Sequence, residues 1–140
     1  MCSPLSRAQQ TCALALPDAH PAVDPDLREW NYGDCEGRTA AEIREERPGW
    51  SLWDDGVAGG ESLGDVAARA DRLIARLDQA EGDAVLVAHG HLLRVLASRW
   101  IRREPRLAQN LLLSAASISL LGWEHGWRSI TLWNSTEHLR

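Results

Sequence analysis

The stretch Ala84-Val85-Leu86-Val87-Ala88-His89-Gly90-His91-Leu92 constrains the fold of this chain more than any other. Its first residues are short, apolar and rich in branched side chains, which predicts a strand buried on both faces. Gly90 breaks the run, and Leu92, Leu93, Val95 and Leu96 begin a helical spacing that extends to about Ile101. The stretch therefore reads as a strand, a one-residue hinge and a helix, with His89 at the carboxyl end of the strand. In open α/β sheets ligands sit at that edge. The unpaired N–H groups that open a helix favour an anion there. A histidine in this place can hold a phosphate or move a proton near neutral pH, or it can simply end the strand. Position alone leaves both open.

At 140 residues the chain is expected to form one domain with a real core. A net charge of −5 with no charge block argues against nucleic acid as the main partner. All 15 basic residues are Arg, a bias that reads mostly as genome composition, although Arg is also the better bidentate phosphate binder. Cys2, Cys12 and Cys35 are odd in number and lack CxxC spacing, so neither a disulfide framework nor a zinc site is suggested. The N-terminus lacks a signal-peptide layout, and the apolar run Leu111 to Leu121 is interrupted by serines and too short to span a bilayer. A cytoplasmic protein without a membrane partner is expected.

Taken in order, Ser3-Pro4 predicts a helix start, with Ser as N-cap, running through Leu5, Ala8, Cys12 and Leu16 to Pro17. Met1 and Cys2 read as the tail of a strand. A loop follows, with a short strand around Ala22-Val23. The segment from Leu27 to Gly37 is dense in charge, aromatics and glycine, without a clean period, and reads as an ordered functional loop. Thr39 with Glu42 makes a capping box for a helix to about Arg47, and Trp50 to Gly56 reads as one helical turn whose Trp cover the core. Ser62 and Asp65 cap the most regular helix, in which Leu63, Val66, Ala67, Ala70, Leu73, Ile74 and Leu77 share one face. Arg102, Arg103 and Arg106 read as a solvated helix end. Ser117 to Trp123 and Arg128 to Trp133 alternate as a hairpin around Glu124-His125-Gly126. The sum is an α/β layer fold with few strands for its helices.

Three segments then coincide. Ser3-Pro4-Leu5-Ser6-Arg7-Ala8-Gln9-Gln10-Thr11 resembles the SPLxRAxxT segment of the histidine phosphatase (phosphoglycerate mutase-like) superfamily. Leu27-Arg28-Glu29 through Glu36-Gly37 is similar to that family's LRExxxGxxEG loop, and Ala88-His89-Gly90 to its second histidine motif. Gly59-Gly60-Glu61-Ser62 and the closing hairpin with Trp133-Asn134 are similar as well. The resemblance covers nearly the whole chain in the right order. It implies an α/β three-layer sandwich of phosphoglycerate mutase-like fold, lacking the first strand, first helix and most of the second strand. Residues 1–140 would then be a single histidine phosphatase-like domain, incomplete at its N-terminus.

In that family a histidine within an Arg-His-Gly motif attacks phosphorus and becomes phosphohistidine. Carried over residue by residue, Arg7 would clamp the phosphoryl oxygens. His89 would hydrogen-bond the phosphoryl group and stabilise charge in the transition state, with Gly90 beside it in the substrate site. Glu29 would protonate the leaving oxygen and later serve as base for water. The resemblance implies no cofactor and no metal, and a small phosphorylated substrate as the partner. Plainer readings stay open: Arg7 as a surface helix residue, Glu29 paired with Arg28 or Arg38, and His91 as support or packing. Glu36 reads as a residue fixing its own loop, and Cys35, which stands where the family usually has an aromatic residue, carries no chemistry.

One departure limits the inference. The histidines are His20, His89, His91, His125 and His138, and none follows an arginine, so these residues hold no Arg-His-Gly. The chain as it stands is therefore expected not to turn over, with a late-set start codon or a truncated frame as the simplest account. The short spacing from Glu29 to His89 favours a phosphatase over a phosphoglycerate mutase-type phosphomutase. The runs Glu29-Trp30-Asn31-Tyr32-Gly33, Trp53-Asp54-Asp55-Gly56 and Ala88-His89-Gly90-His91 are similar to the sugar-bisphosphatase and broad-specificity branch, which implies a small sugar phosphate. The rivals are a non-catalytic remnant that binds a phosphorylated ligand through Arg7 and His89, and a product with no function.

Overall fold

A computed structural model describes all of residues 1–140. Five α-helices and one hairpin succeed one another: α1 (Ser6–Ala15), α2 (Ala40–Glu46), α3 (Leu52–Asp55), α4 (Leu63–Leu77), α5 (Gly90–Trp100), β1 (Ile118–Glu124) and β2 (Trp127–Ser135). Both expected capping boxes form. Thr39 accepts from the Glu42 N–H and Ser62 from the Asp65 N–H, while each N3 carboxylate reaches back to the N-cap N–H. The core lies where α4 packs on α5: Val66, Ala70 and Leu73 meet Leu92, Val95 and Leu96, with Leu27 and Trp30 entering from the preceding loop. Each of the buried Val and Leu side chains contributes about 1.5–3 kcal/mol by leaving water.

The strand expected at residues 84–88 takes a different form. The segment is extended, but it forms only a single parallel bridge, Cys2 to Val87, and Val85 is 59% exposed rather than buried on both faces. Cys2 bridges Val23 on its other side, so the short segments lie in the order 23, 2, 87. Bonds from Val87 N to Met1 O (3.1 Å) and from Ser3 N to Val87 O (2.9 Å) make the seam. The opposite edge of the segment pairs with nothing: the N–H and C=O of Leu86 make no backbone hydrogen bond. A branched run reports a preference for extended backbone. Burial on two faces needs neighbours that the run itself does not supply.

The first helix also begins later than expected. Its N-cap is Leu5, whose side chain has no acceptor to offer, while Ser3 Oγ accepts from the Leu5 N–H and faces His89. The hairpin matches expectation, with a tighter turn: His125 and Gly126 have φ of 48° and 83°, the left-handed pair of a two-residue turn. Arg102, Arg103 and Arg106 are exposed as expected, and Arg106 makes a surface ion pair with Asp54 at 2.5 Å. No helix is long and apolar enough to cross a membrane.

Candidate active site

The site forms where residues 1–7, the loop 26–36 and the N-terminus of α5 meet. Ser3 is fully buried, its Oγ accepting from Leu5 N at 3.2 Å and lying 2.8 Å from Nε2 of His89. His89 is the N-cap of α5, in extended backbone, and is 7% exposed. Burial lowers its pKa, the positive charge of Arg7 acts in the same direction, and Glu29 opposes them. The imidazole is thus held neutral, with one N–H to donate.

Glu29 settles between its alternatives. Its partner is neither Arg28 nor Arg38, which bonds Glu46 instead. Its carboxylate caps α5, accepting from His91 N at 3.1 Å and Leu92 N at 3.0 Å, and also from Trp30 N at 2.9 Å. The expectation of free N–H groups opening this helix is therefore corrected: His91 and Leu92 are taken by a protein carboxylate. The exposed Gly90 N–H has no protein partner. Arg7, exposed on the first turn of α1, makes no side-chain hydrogen bond or ion pair, and its charge is felt by both His89 and Tyr32. So Glu29, His89, Gly90 and Arg7 are brought together.

Around them stands an aromatic enclosure. Tyr32 Oη lies 2.6 Å from His91 Nδ1, and Trp30 and Trp53 present ring centroids 6.2 and 5.3 Å from that imidazole. Burial lowers the pKa of His91, with Glu29 opposing and Arg94 adding to the shift. Burial, with the charges of Glu29 and Glu36, raises that of Tyr32 so that it stays a phenol. Trp53 thus faces His91 as well as the core. Glu36 fixes its own loop, accepting from Tyr32 N at 3.0 Å. Gly33 is demanded by its place: φ is 49°, and a Cβ there would meet Ala58 O at 2.2 Å.

Sequence reasoning missed Tyr32, the role of Ser3, and the pair Arg69 and Glu61. A signal for Arg69 existed, because it falls between Val66 and Leu73 on the apolar face of α4. No set of three or more His, Cys, Asp or Glu could hold a metal. An open depression of about 370 Å³, lined by Cys2, Gln9, Cys12, His20 and Val23 among others, contains none of Arg7, Glu29 and His89.

The α/β fold thus sets a histidine and a carboxylate at one helix N-terminus beside an unpartnered arginine. The profile of the Histidine phosphatase superfamily (branch 1) matches residues 1–136, and the chain belongs to that superfamily. It is 35% identical over 140 residues to the acid phosphatase of Mycobacterium tuberculosis, spanning 99% of this chain and 68% of that protein. It is 41% identical over 124 residues to the sedoheptulose 1,7-bisphosphatase of Saccharomyces cerevisiae, spanning 70% of this chain and 45% of that one. The chain thus spans about two thirds of the first relative and less than half of the second. A solved structure of a functionally characterised open reading frame from M. tuberculosis superposes with a TM-score of 0.90 at 35% identity, over 95% of this chain and 69% of that one. The native structure of mycobacterial glucosyl-3-phosphoglycerate phosphatase superposes with a TM-score of 0.78 at 33% identity, over 96% and 76%.

Proposed function

We propose that the chain carries the phosphoryl-binding and acid–base groups of a histidine-type phosphomonoesterase for small phosphorylated substrates, sugar phosphates foremost. The observation that supports it is the meeting of Glu29 and His89 at the N-terminus of α5, with the guanidinium of Arg7 unpartnered beside them. Phosphoryl transfer asks mainly for positioning and for neutralised oxygens. Arg7 meets two phosphoryl oxygens with its planar fork. His89 donates its N–H to a third as charge grows on it, and the Gly90 N–H adds a backbone donor. Glu29, seated on the α5 amides, gives a proton to the leaving oxygen and takes one from the attacking water. Two of the relatives' names, sedoheptulose 1,7-bisphosphatase and glucosyl-3-phosphoglycerate phosphatase, support the sugar phosphate, and the name acid phosphatase supports phosphoester hydrolysis alone.

The covalent route needs a histidine nucleophile, and no histidine among these 140 residues follows an arginine. A polypeptide of residues 1–140 is accordingly expected to bind inorganic phosphate without hydrolysing esters. Tryptophan fluorescence reports the first, through Trp30 and Trp53, and release of p-nitrophenol from p-nitrophenyl phosphate the second. Arg7→Ala and His89→Ala should each weaken phosphate binding about tenfold or more, in line with losing a charge-assisted hydrogen bond. If Arg7→Ala and His89→Ala bind phosphate as the parent does, the site assignment is wrong. If residues 1–140 hydrolyse the ester and Glu29→Gln abolishes this, the expected inactivity is wrong and the roles stand.

A further inference from the structure

We propose that Arg69 and Glu61 form a positioning pair for Glu29, an inference that rests on the acid–base role given to Glu29 above. Arg69 lies on the buried face of α4 with its side chain 11% exposed. A guanidinium in such a place is costly unless every donor is met. It is met on all sides. Nε and Nη2 grip the two oxygens of Glu61 at 2.7 and 2.8 Å. Nη1 reaches Asp26 O at 2.7 Å and Arg28 O at 2.9 Å, and Nη2 also faces Glu29 O at 3.5 Å.

What the fork binds is the backbone that carries Glu29. Glu61 continues the grip one step further along the same segment. Its Oε2 accepts from Asn31 N at 2.9 Å, its carbonyl from Trp30 Nε1 at 2.7 Å, and its own N–H donates to Asn31 O at 2.9 Å. From Arg28 to Asn31, every residue is therefore tied to Arg69 or Glu61. The Glu29 carboxylate is held at its other end by the α5 amides of His91 and Leu92. Backbone from α4 and side chain from α5 together fix where the acid stands relative to His89, and a displacement of about 1 Å at such a group costs on the order of a hundredfold in rate.

Packing alone does not account for the pair, because the loop is anchored independently. Arg72 and Arg76 hold Asp24 and Asp26, Leu27 and Trp30 are sunk in the core, and Gly33 closes on residues 58–60. Lysine cannot replace the fork, since an ammonium cannot span a carboxylate and two carbonyls at once.

The test reads the two amides that Glu29 caps. In 15N-labelled residues 1–140, Glu29→Gln should move the His91 and Leu92 amide resonances. Arg69→Lys and Glu61→Gln should move the same two resonances in the same direction, and Arg69→Lys added to Glu29→Gln should move them no further. A residue that only braces the loop would shift the amides of 26–31 and leave His91 and Leu92 in place, and that result overturns the proposal. Cooperative urea unfolding of both variants is expected; loss of fold in both would make Arg69 a folding residue and also overturn it. Phosphate binding, measured in the same samples, should be unchanged in Arg69→Lys. Its absence in the parent would defeat the reading of the site while leaving the amide result to decide the positioning.

Discussion

An imidazole enclosed by Trp30, Trp53 and Tyr32 has few ways to satisfy its nitrogens, and His91 satisfies one of them with the Tyr32 hydroxyl at 2.6 Å. Tyr32→Phe keeps the ring in the aromatic cluster and removes only that partner. The half-buried Nδ1 is then left without one, and stability should fall by about 1–2 kcal/mol, read as a lower urea midpoint with an unchanged slope. A change of slope would instead mean that the cluster had opened. The single residue is also where the sequence was hardest to read. Ser3, followed by Pro4, looks like a helix cap. Its hydroxyl instead faces His89, 86 positions away, and nothing in the local pattern carries that distance. Arg69 was visible only as an interruption of an apolar stripe. Which carbonyls it would meet depended on how the loop 26–31 folds back, a question of tertiary structure. Glu29 was legible through its motif, but its seat on the α5 amides was not.

At the scale of elements, what formed as expected is what local chemistry decides. The capping boxes of α2 and α4 lie within four residues of sequence, and the stripe Val66, Ala70, Leu73 repeats at the helical period, so both could be read directly. The segment 84–88 could be read only as extended, because pairing is non-local. Its hydrogen bonds run to Met1 and Ser3 and on one side only. Hydrogen exchange should show this alternation. The Val87 amide, bonded to Met1 O at 3.1 Å, should exchange more slowly than those of Leu86 and Ala88, which have no backbone acceptor. Equal protection at all three would mean that the free edge is covered in solution.

For the whole molecule, the effect of acid should have two onsets. His89 and His91 have pKa values lowered from 6.5, chiefly by burial. In the unfolded chain both rings regain a pKa near 6.5, so below that pH the unfolded state binds more protons than the folded one. Their contribution is complete above 6.5 and drains away as pH falls through the lowered values. Asp26 behaves likewise at lower pH. The hydrogen bond from Arg72, joined by one from Arg76 against an opposing burial, holds its carboxyl below 3.8. The capping carboxylates Glu42 and Asp65 are held below 4.5 and 3.8 by their Thr39 and Ser62 bonds. Urea midpoints measured against pH should therefore begin to decline below about 6.5 and decline more steeply below about 4. Replacing His89 and His91 together by Gln should flatten the first decline, whatever it does to the absolute stability, and leave the second. Asp26→Asn should reduce the second alone. A single decline confined to the lower window, in the parent chain, would show that the two imidazoles already titrate in the fold as they do in water, and the burial assigned to them here would be wrong.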